Sequence, residues 1–173
     1  KRFMMPKEAG GKQVFIDFDG VYMNSQVWIN GHLLGLRPFG YISFRYDLTP
    51  HLNVGGENVI AVQADVRPGS SRWYPGAGIY RRVWLTTLNP VHVAHWGHFV
   101  STPEVSAEKA SVRLQTEVEN KSDKTAKVTL KSVVLDPQGR PVAEANATHD
   151  VPPGGMHPFD QNFVAKNPML WSP

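Results

Sequence analysis

Apolar and polar side chains alternate with a period of two along most of this chain, and that pattern predicts strands. Val14, Ile16 and Phe18 share one face of a segment at 14–18. The segment Val27-Trp28-Ile29-Asn30-Gly31-His32-Leu33-Leu34 predicts a hairpin. Asn-Gly between two apolar runs favours the type I′ turn, in which both central residues take positive φ. Ile42, Phe44, Tyr46 and Leu48 alternate with Ser43, Arg45 and Asp47, predicting a strand with Ile42 on its inner face. Gly55-Gly56 turns the chain into 58–66, which is apolar on both faces and so reads as a central strand. Residues 83–88 form another short strand. No segment before residue 90 keeps a helical period for three turns.

Asn89-Pro90 marks a boundary, because proline disfavours helical backbone before it and breaks the strand pattern. Beyond it Val112, Leu114, Thr116 and Val118 alternate with Arg113, Gln115, Glu117 and Glu119, giving one dry and one wet face. Strands follow at 128–135, 142–151 and 156–164. They are separated by Asp136-Pro137-Gln138-Gly139, a turn with a reason at each position, and by Pro152-Pro153-Gly154-Gly155. Turn signals at this spacing suit a β-sandwich. Five or six strands fit into residues 90–173, against about seven in an immunoglobulin-like sandwich.

Composition sharpens the division. Residues 1–90 hold 13 aromatics and 11 glycines, whereas 91–173 hold 5 and 4. Seven of the ten basic residues before the boundary are Arg, and six of the eight after it are Lys. Two compositions in one chain predict two domains, 1–89 and 90–173. The net charge of +3 is too small to point to nucleic acid, and no apolar run approaches the ~18 residues that span a bilayer, so neither nucleic acid nor a membrane is an expected partner. The absence of cysteine excludes disulfides, zinc–thiolate centres and thiol nucleophiles. The chain opens at Lys1 without an initiator Met or a leader pattern, and so reads as a fragment.

Four constellations invite a chemical reading. His92, His95 and His98 resemble a metal cluster by spacing. On a strand His95 would point away from the other two, and the flanking Val91 and Val93 favour a strand. Asp17 and Asp19 share a face, as an acid–base pair would, but Asp19-Gly20 also reads as a strand end entering a turn. Asn120 and Asn146 head N-x-S/T sequons, taken as chance occurrences. The richest stretch is Ser70-Ser71-Arg72-Trp73-Tyr74-Pro75-Gly76-Ala77-Gly78-Ile79-Tyr80-Arg81. Aromatic faces stack on sugar C–H faces and arginine offers a fork of donors, while Gly76 and Gly78 would permit close backbone approach. The rival reading packs Trp73 and Tyr74 beneath a loop at a domain interface, and the residues alone leave the two level.

The strings FDGVYMNSQVWINGHLLG, YDLTPHL, GGENVIAV and SRWYPGAGIYRRVWL, in that order, resemble glycoside hydrolase family 2, which includes β-galactosidases, β-glucuronidases and β-mannosidases. VHVAHWGHFVSTPEVS and the terminal NPMLWSP resemble the sandwich that follows in that family. The resemblance covers nearly the whole chain, and the SRWYPGAGIYR form is most similar to β-galactosidase members. It implies an all-β fold: a jelly-roll (galactose-binding-like) β-sandwich over 1–89 lacking its beginning, then an immunoglobulin-like β-sandwich over 90–173 lacking its last strands.

It also implies that catalysis belongs to a (β/α)₈ barrel outside this chain, where two glutamates would cleave an O-glycosidic bond by retention. The expected function is a non-catalytic portion that shapes the substrate pocket, with Arg72, Trp73 and Tyr74 reaching the sugar. The alternative is a stand-alone carbohydrate-binding module with an Ig-like spacer. Expected partners are the β-glycoside substrate, the barrel of the same enzyme and further copies of the chain. Some β-galactosidases carry an acidic residue near this loop that touches sodium. Ser70 and Ser71 stand there instead, so no metal or cofactor is expected. Gly78, Ile79, Tyr80 and Arg81 read as architectural.

Overall fold

A computed structural model of the chain describes residues 1–66, 69 and 76–171. The chain forms two compact units, Lys1–Asn89 and Pro90–Pro173. In the first unit the described strands are β1 (Arg2–Met4), β2 (Gln13–Phe18), β3 (Val21–Tyr22), β4 (Ser25–Ile29), β5 (His32–Arg37), β6 (Phe44–Asp47), β7 (Glu57–Gln63), β8 (Gly78–Ile79) and β9 (Val83–Leu88). Single 3-10 turns occur at Lys7–Ala9 and Thr49–His51.

Two sheets make the layers of this unit, one ordered β1-β7-β4-β5 and one β6-β2-β9, with β3 and β8 forming a short separate pair. Alternation decides what lies between the sheets. Val14, Ile16 and Phe18 of β2 are buried with Val27 and Ile29 of β4, Phe44 of β6 and Leu48 in one core. Phe18 stacks on Phe44 with ring centroids 5.0 Å apart. Burying each such side chain contributes about 1.5–3 kcal/mol.

The β4–β5 hairpin forms at Asn30-Gly31 as the sequence predicts, with φ of 50° and 85° and Ile29 opposite His32. Asn30 also acts through its side chain. Its Nδ2 donates to the His51 carbonyl and to Asn58 Oδ1, each at 2.8 Å, and its Oδ1 accepts from the Val59 amide. Asn58 is fully buried in β7 and completes this knot. Its Oδ1 accepts from the Asn53 amide at 2.8 Å, and its Nδ2 donates to the carbonyls of Asn53 and Gly56 at 3.0 and 3.1 Å.

One strand expectation holds in its placement, and one needs correction. β7 is central, between β1 and β4, but only one of its faces is covered: Val59 and Ala61 are exposed. Its sheet packs against a second layer on one side, so an apolar outer face does not imply burial. Ile42 lies outside β6 and is exposed. Pairing begins only where β2 offers a partner, at Phe44 opposite Phe18.

The second unit contains β10 (Val91–Val105), β11 (Lys109–Asn120), β12 (Ala126–Leu135), β13 (Pro141–Val151) and β14 (Met156–Lys166). The sheets are β10-β11-β14 and β12-β13. The alternation of β14 is strict: Phe159, Gln161 and Phe163 are buried while Pro158, Asp160 and Asn162 are exposed. Gln161 links the two sheets, because its Oε1 accepts from Ser132 Oγ of β12 at 2.6 Å. The turn at 136–139 forms as expected, with Gly139 at φ 79° and its amide on the Asp136 carbonyl. Asp136 Oδ1 accepts from the amides of Gln138 and Arg140. Those backbone donors, the Arg140 amide above all, hold the Asp136 carboxyl below its ordinary range.

Candidate functional site

The stretch Arg72-Trp73-Tyr74 lies outside the described residues, but the backbone on either side of it is fixed. Before the loop, the Asp65 amide donates to the Met23 carbonyl at 2.9 Å, and Asn24 Nδ2 donates to the Asp65 carbonyl at 3.0 Å. After it, β8 pairs with β3, placing Gly78 opposite Tyr22 and Ile79 opposite Val21. The Tyr80 amide then donates to the Gly20 carbonyl, and the Asp19 amide to the Arg82 carbonyl. Both ends of the segment are therefore pinned to one short loop, residues 19–24. Val62, Ala64, Ala77, Gly78 and Ile79 line a cavity of about 350 Å³ between these ends.

Among the described residues, a Cβ at Gly76 or Gly78 would meet nothing within 4 Å. Gly78 is instead needed for its φ of 138°. The close approaches are made elsewhere. A Cβ at Gly20 would stand 2.6 Å from Cζ of Tyr80, and one at Gly40 would stand 2.4 Å from Cδ2 of Tyr22. Tyr80 donates its hydroxyl to the Gly40 carbonyl at 2.7 Å. This gives Tyr80, expected to be architectural, a structural role, although half its surface is open.

Around these glycines a group of aromatic side chains collects that the alternation pattern had left unremarked. Tyr41 lies 5.4 Å from Tyr22 and 5.7 Å from Phe39, centroid to centroid, both pairs strongly tilted. Tyr22 is buried, while Phe39, Tyr41 and Tyr80 are 55%, 67% and 50% exposed. Partial desolvation and the neighbouring hydroxyls of Tyr22 and Tyr80 raise the Tyr41 phenol above its ordinary value, so it stays a neutral donor. The available sequence signal was Pro38-Phe39-Gly40-Tyr41, two aromatics flanking a glycine in a turn.

The carboxylates are committed to structure. Asp17 accepts from Arg45 Nε at 2.6 Å and Nη2 at 3.1 Å, and from Thr86 Oγ1 at 2.8 Å. Asp17 thus ties β2 to its two neighbours, with Arg45 opposite it in β6. Arg45 also lies over the Phe15 ring, 4.8 Å from its centroid. Asp19 Oδ2 accepts from Trp84 Nε1 at 3.1 Å. Carboxylates held in this way brace a sheet rather than move protons, as the strand-end reading expected for Asp19.

The histidines of β10 follow no simple alternation, because the register with β11 slips between Val93 and His98. Trp96 within that bulge has a φ of 55°. His95 stacks on Trp96, and His98 Nδ1 lies 3.3 Å from Thr116 Oγ1. Among the described residues no group of three or more His, Asp or Glu side chains could hold a metal. Of the two sequons, Asn120 is fully buried, with Nδ2 donating to the carbonyls of Lys124 and Val151. A glycan there would destroy the fold. Asn146 is exposed on β13.

Residues 91–173 match the family model described as Glycosyl hydrolases family 2. The β-galactosidase BoGH2A of Bacteroides ovatus is 46% identical over 172 residues, covering 99% of this chain and 20% of that protein. A β-glucuronidase of Formosa agariphila is 33% identical over 192 residues, covering 99% of this chain and 20% of that protein. Among solved structures, a glycosyl hydrolase family 2 member from Bacteroides cellulosilyticus superposes with a TM-score of 0.95 at 34% identity, covering 99% of this chain and 24% of that one. The β-glucuronidase of Bacteroides uniformis gives 0.89 at 27% identity, covering 99% and 22%. The chain spans about one fifth of the length of these relatives.

Proposed function

Because this chain belongs to glycosyl hydrolase family 2, we propose that it is a non-catalytic portion of a β-glycosidase, shaping the pocket in which a catalytic barrel elsewhere in the same protein cleaves a β-glycoside. The observation that carries this reading is the match of 99% of the chain to one fifth of a β-galactosidase. In this reading 1–89 is the jelly-roll sugar-binding domain and 90–173 the immunoglobulin-like sandwich. The disposition of acids supports it: the carboxylates of Asp17 and Asp19 are tied to Arg45, Thr86 and Trp84.

Arg72, Trp73 and Tyr74 are the residues assigned to the sugar. Support comes from the double anchoring of their segment, since a loop pinned at both ends costs less entropy to hold against a substrate. A displaced contact of this kind can cost orders of magnitude in rate.

The test uses the full-length protein. Arg72→Ala and Trp73→Ala should each lower kcat/KM for an aryl β-galactoside or β-glucuronide by roughly 10–100-fold with an unchanged melting temperature. The isolated 173-residue chain should show no turnover. Hydrolysis by that chain, or variants with parental kinetics, refutes the proposal. Tight sugar binding by the chain alone, seen by calorimetry, would favour the stand-alone carbohydrate-binding module instead.

A further inference from the structure

We infer that the stacked rings of His149 and His157 form an acid-released clasp between the two sheets of the second unit, closed while both rings are neutral and loosened when both are charged, so that β12 and β13 part from β14 in mild acid. The inference goes beyond the function proposed above and does not depend on it.

The geometry places the pair on the seam. His149 stands on β13 opposite Val128, and His157 stands on β14 opposite Val118. β13 and β14 belong to different sheets and pack against each other. The two rings lie within 9° of parallel with centroids 3.5 Å apart, which leaves no room for water between them. His157 also meets the buried Phe159 ring edge-on at 4.8 Å. It is therefore held between an aromatic of its own strand and an imidazole of the other sheet.

Other polar contacts across this seam do not titrate. Asn120 Nδ2 donates to the Val151 carbonyl at 2.9 Å, Ser132 Oγ donates to Gln161 Oε1 at 2.6 Å, and Gln161 Nε2 donates to the Leu130 carbonyl at 3.4 Å. Amides, hydroxyls and carbonyls keep one protonation state across the physiological range, whereas imidazole does not.

The strands packed around the pair turn their charges to the other face, because alternate side chains point to opposite sides of a sheet. On β11 the buried residues are Thr116, Val118 and Asn120, and Glu117 and Glu119 fall between them, Glu119 paired with Lys121. Asp160 of β14 is exposed and bound to Arg113. Lys127 and Asp150 are exposed and paired in register, and Lys131 pairs with Glu144, all alternating with the inward positions of β12 and β13. On β10 the titratable neighbour is His98, whose Nδ1 lies 3.3 Å from Thr116 Oγ1. Among the described residues of these strands, no carboxylate shares the face of the pair to favour an imidazolium. Burial and then the like charge of His149 accordingly hold the His157 pKa below 6.5. The parted state binds more protons, so the clasp is closed above about pH 6.5 and gives way as pH falls through the lowered value.

The experiment is hydrogen exchange of the full-length protein, read by mass spectrometry at about pH 7.5 and about pH 5, each rate divided by the intrinsic rate at that pH. Exchange in β12 and β13 should rise roughly 3–10-fold between the two conditions relative to β11. Asp136 and Asp160 are held below 3.8 and stay charged at both, so they do not mimic this response. His149→Phe keeps a ring against His157 but cannot charge, and should abolish the rise. The quantity read is the ratio between the two conditions, so a variant that is weaker at both remains informative. His98→Gln, which removes the histidine of β10, should keep the parental ratio. A parental ratio in His149→Phe, a lost response in His98→Gln, or an equal rise in β11 would overturn the inference.

Discussion

Asn58 offers the sharpest test of how the first unit is held together. It is fully buried, and its amide serves four partners: Asn30 Nδ2, the Asn53 amide, and the carbonyls of Asn53 and Gly56. Asn58→Ala removes all four bonds at once. Each hydrogen bond contributes about 1 kcal/mol net, and a buried group left without a partner costs about 1–3 kcal/mol. Asn53 is exposed, so water restores part of its loss. The balance is about 3 kcal/mol, a large share of the roughly 5–15 kcal/mol that stabilises a whole domain. With a urea slope of about 1–3 kcal/mol per molar, the midpoint should fall by about 1–3 M.

The assay is urea-dependent hydrogen exchange at the amides of β4 and β7, which report this unit directly. Asn58→Asp adds a second reading. It keeps one acceptor but turns the donating nitrogen into an oxygen facing two carbonyls at about 3 Å. The introduced carboxyl is then favoured in its protonated form, so its folded pKa lies above the unfolded value. Its penalty should therefore be smallest in acid and grow as pH rises through that pKa. A midpoint for Asn58→Ala within about 0.3 M of the parent, or an Asn58→Asp penalty independent of pH, would refute the reasoning.

Gly40→Ala should cost about 1–3 kcal/mol, because the Tyr22 ring it meets is buried and cannot yield, whereas Gly20→Ala meets the outer end of the half-exposed Tyr80 ring and should cost less than about 1 kcal/mol. Urea midpoints of the two variants check the order. In the second unit His149 and His157 stack 3.5 Å apart, centroid to centroid, and burial, then the neighbouring His149, lowers the His157 pKa from 6.5. The neutral ring is thus favoured in the folded state. Stability should be intact above about pH 6.5 and decline as pH falls through the lowered value, and His149→Gln should shrink the difference between urea midpoints at about pH 7.5 and about pH 5.

Much of this architecture is legible in the sequence because strand physics is local. Period-two alternation identified the buried faces of β2 and β11, since successive side chains must point to opposite sides of a sheet. Asn30-Gly31 announced its turn because the type I′ geometry demands positive φ at both residues. Family membership was also readable, carried by strings such as GGENVIAV and SRWYPGAGIYRRVWL. Tertiary structure decided what depends on partners far along the chain. Whether the outer face of β7 is covered depends on a second layer that no local pattern encodes. Asp17 could be read as an acid or as a brace until Arg45 and Thr86 arrived beside it from β6 and β9. The aromatic cluster of Tyr22, Tyr41 and Tyr80 stayed hidden because these rings meet only after Gly20 and Gly40 let separate parts of the chain come within van der Waals reach.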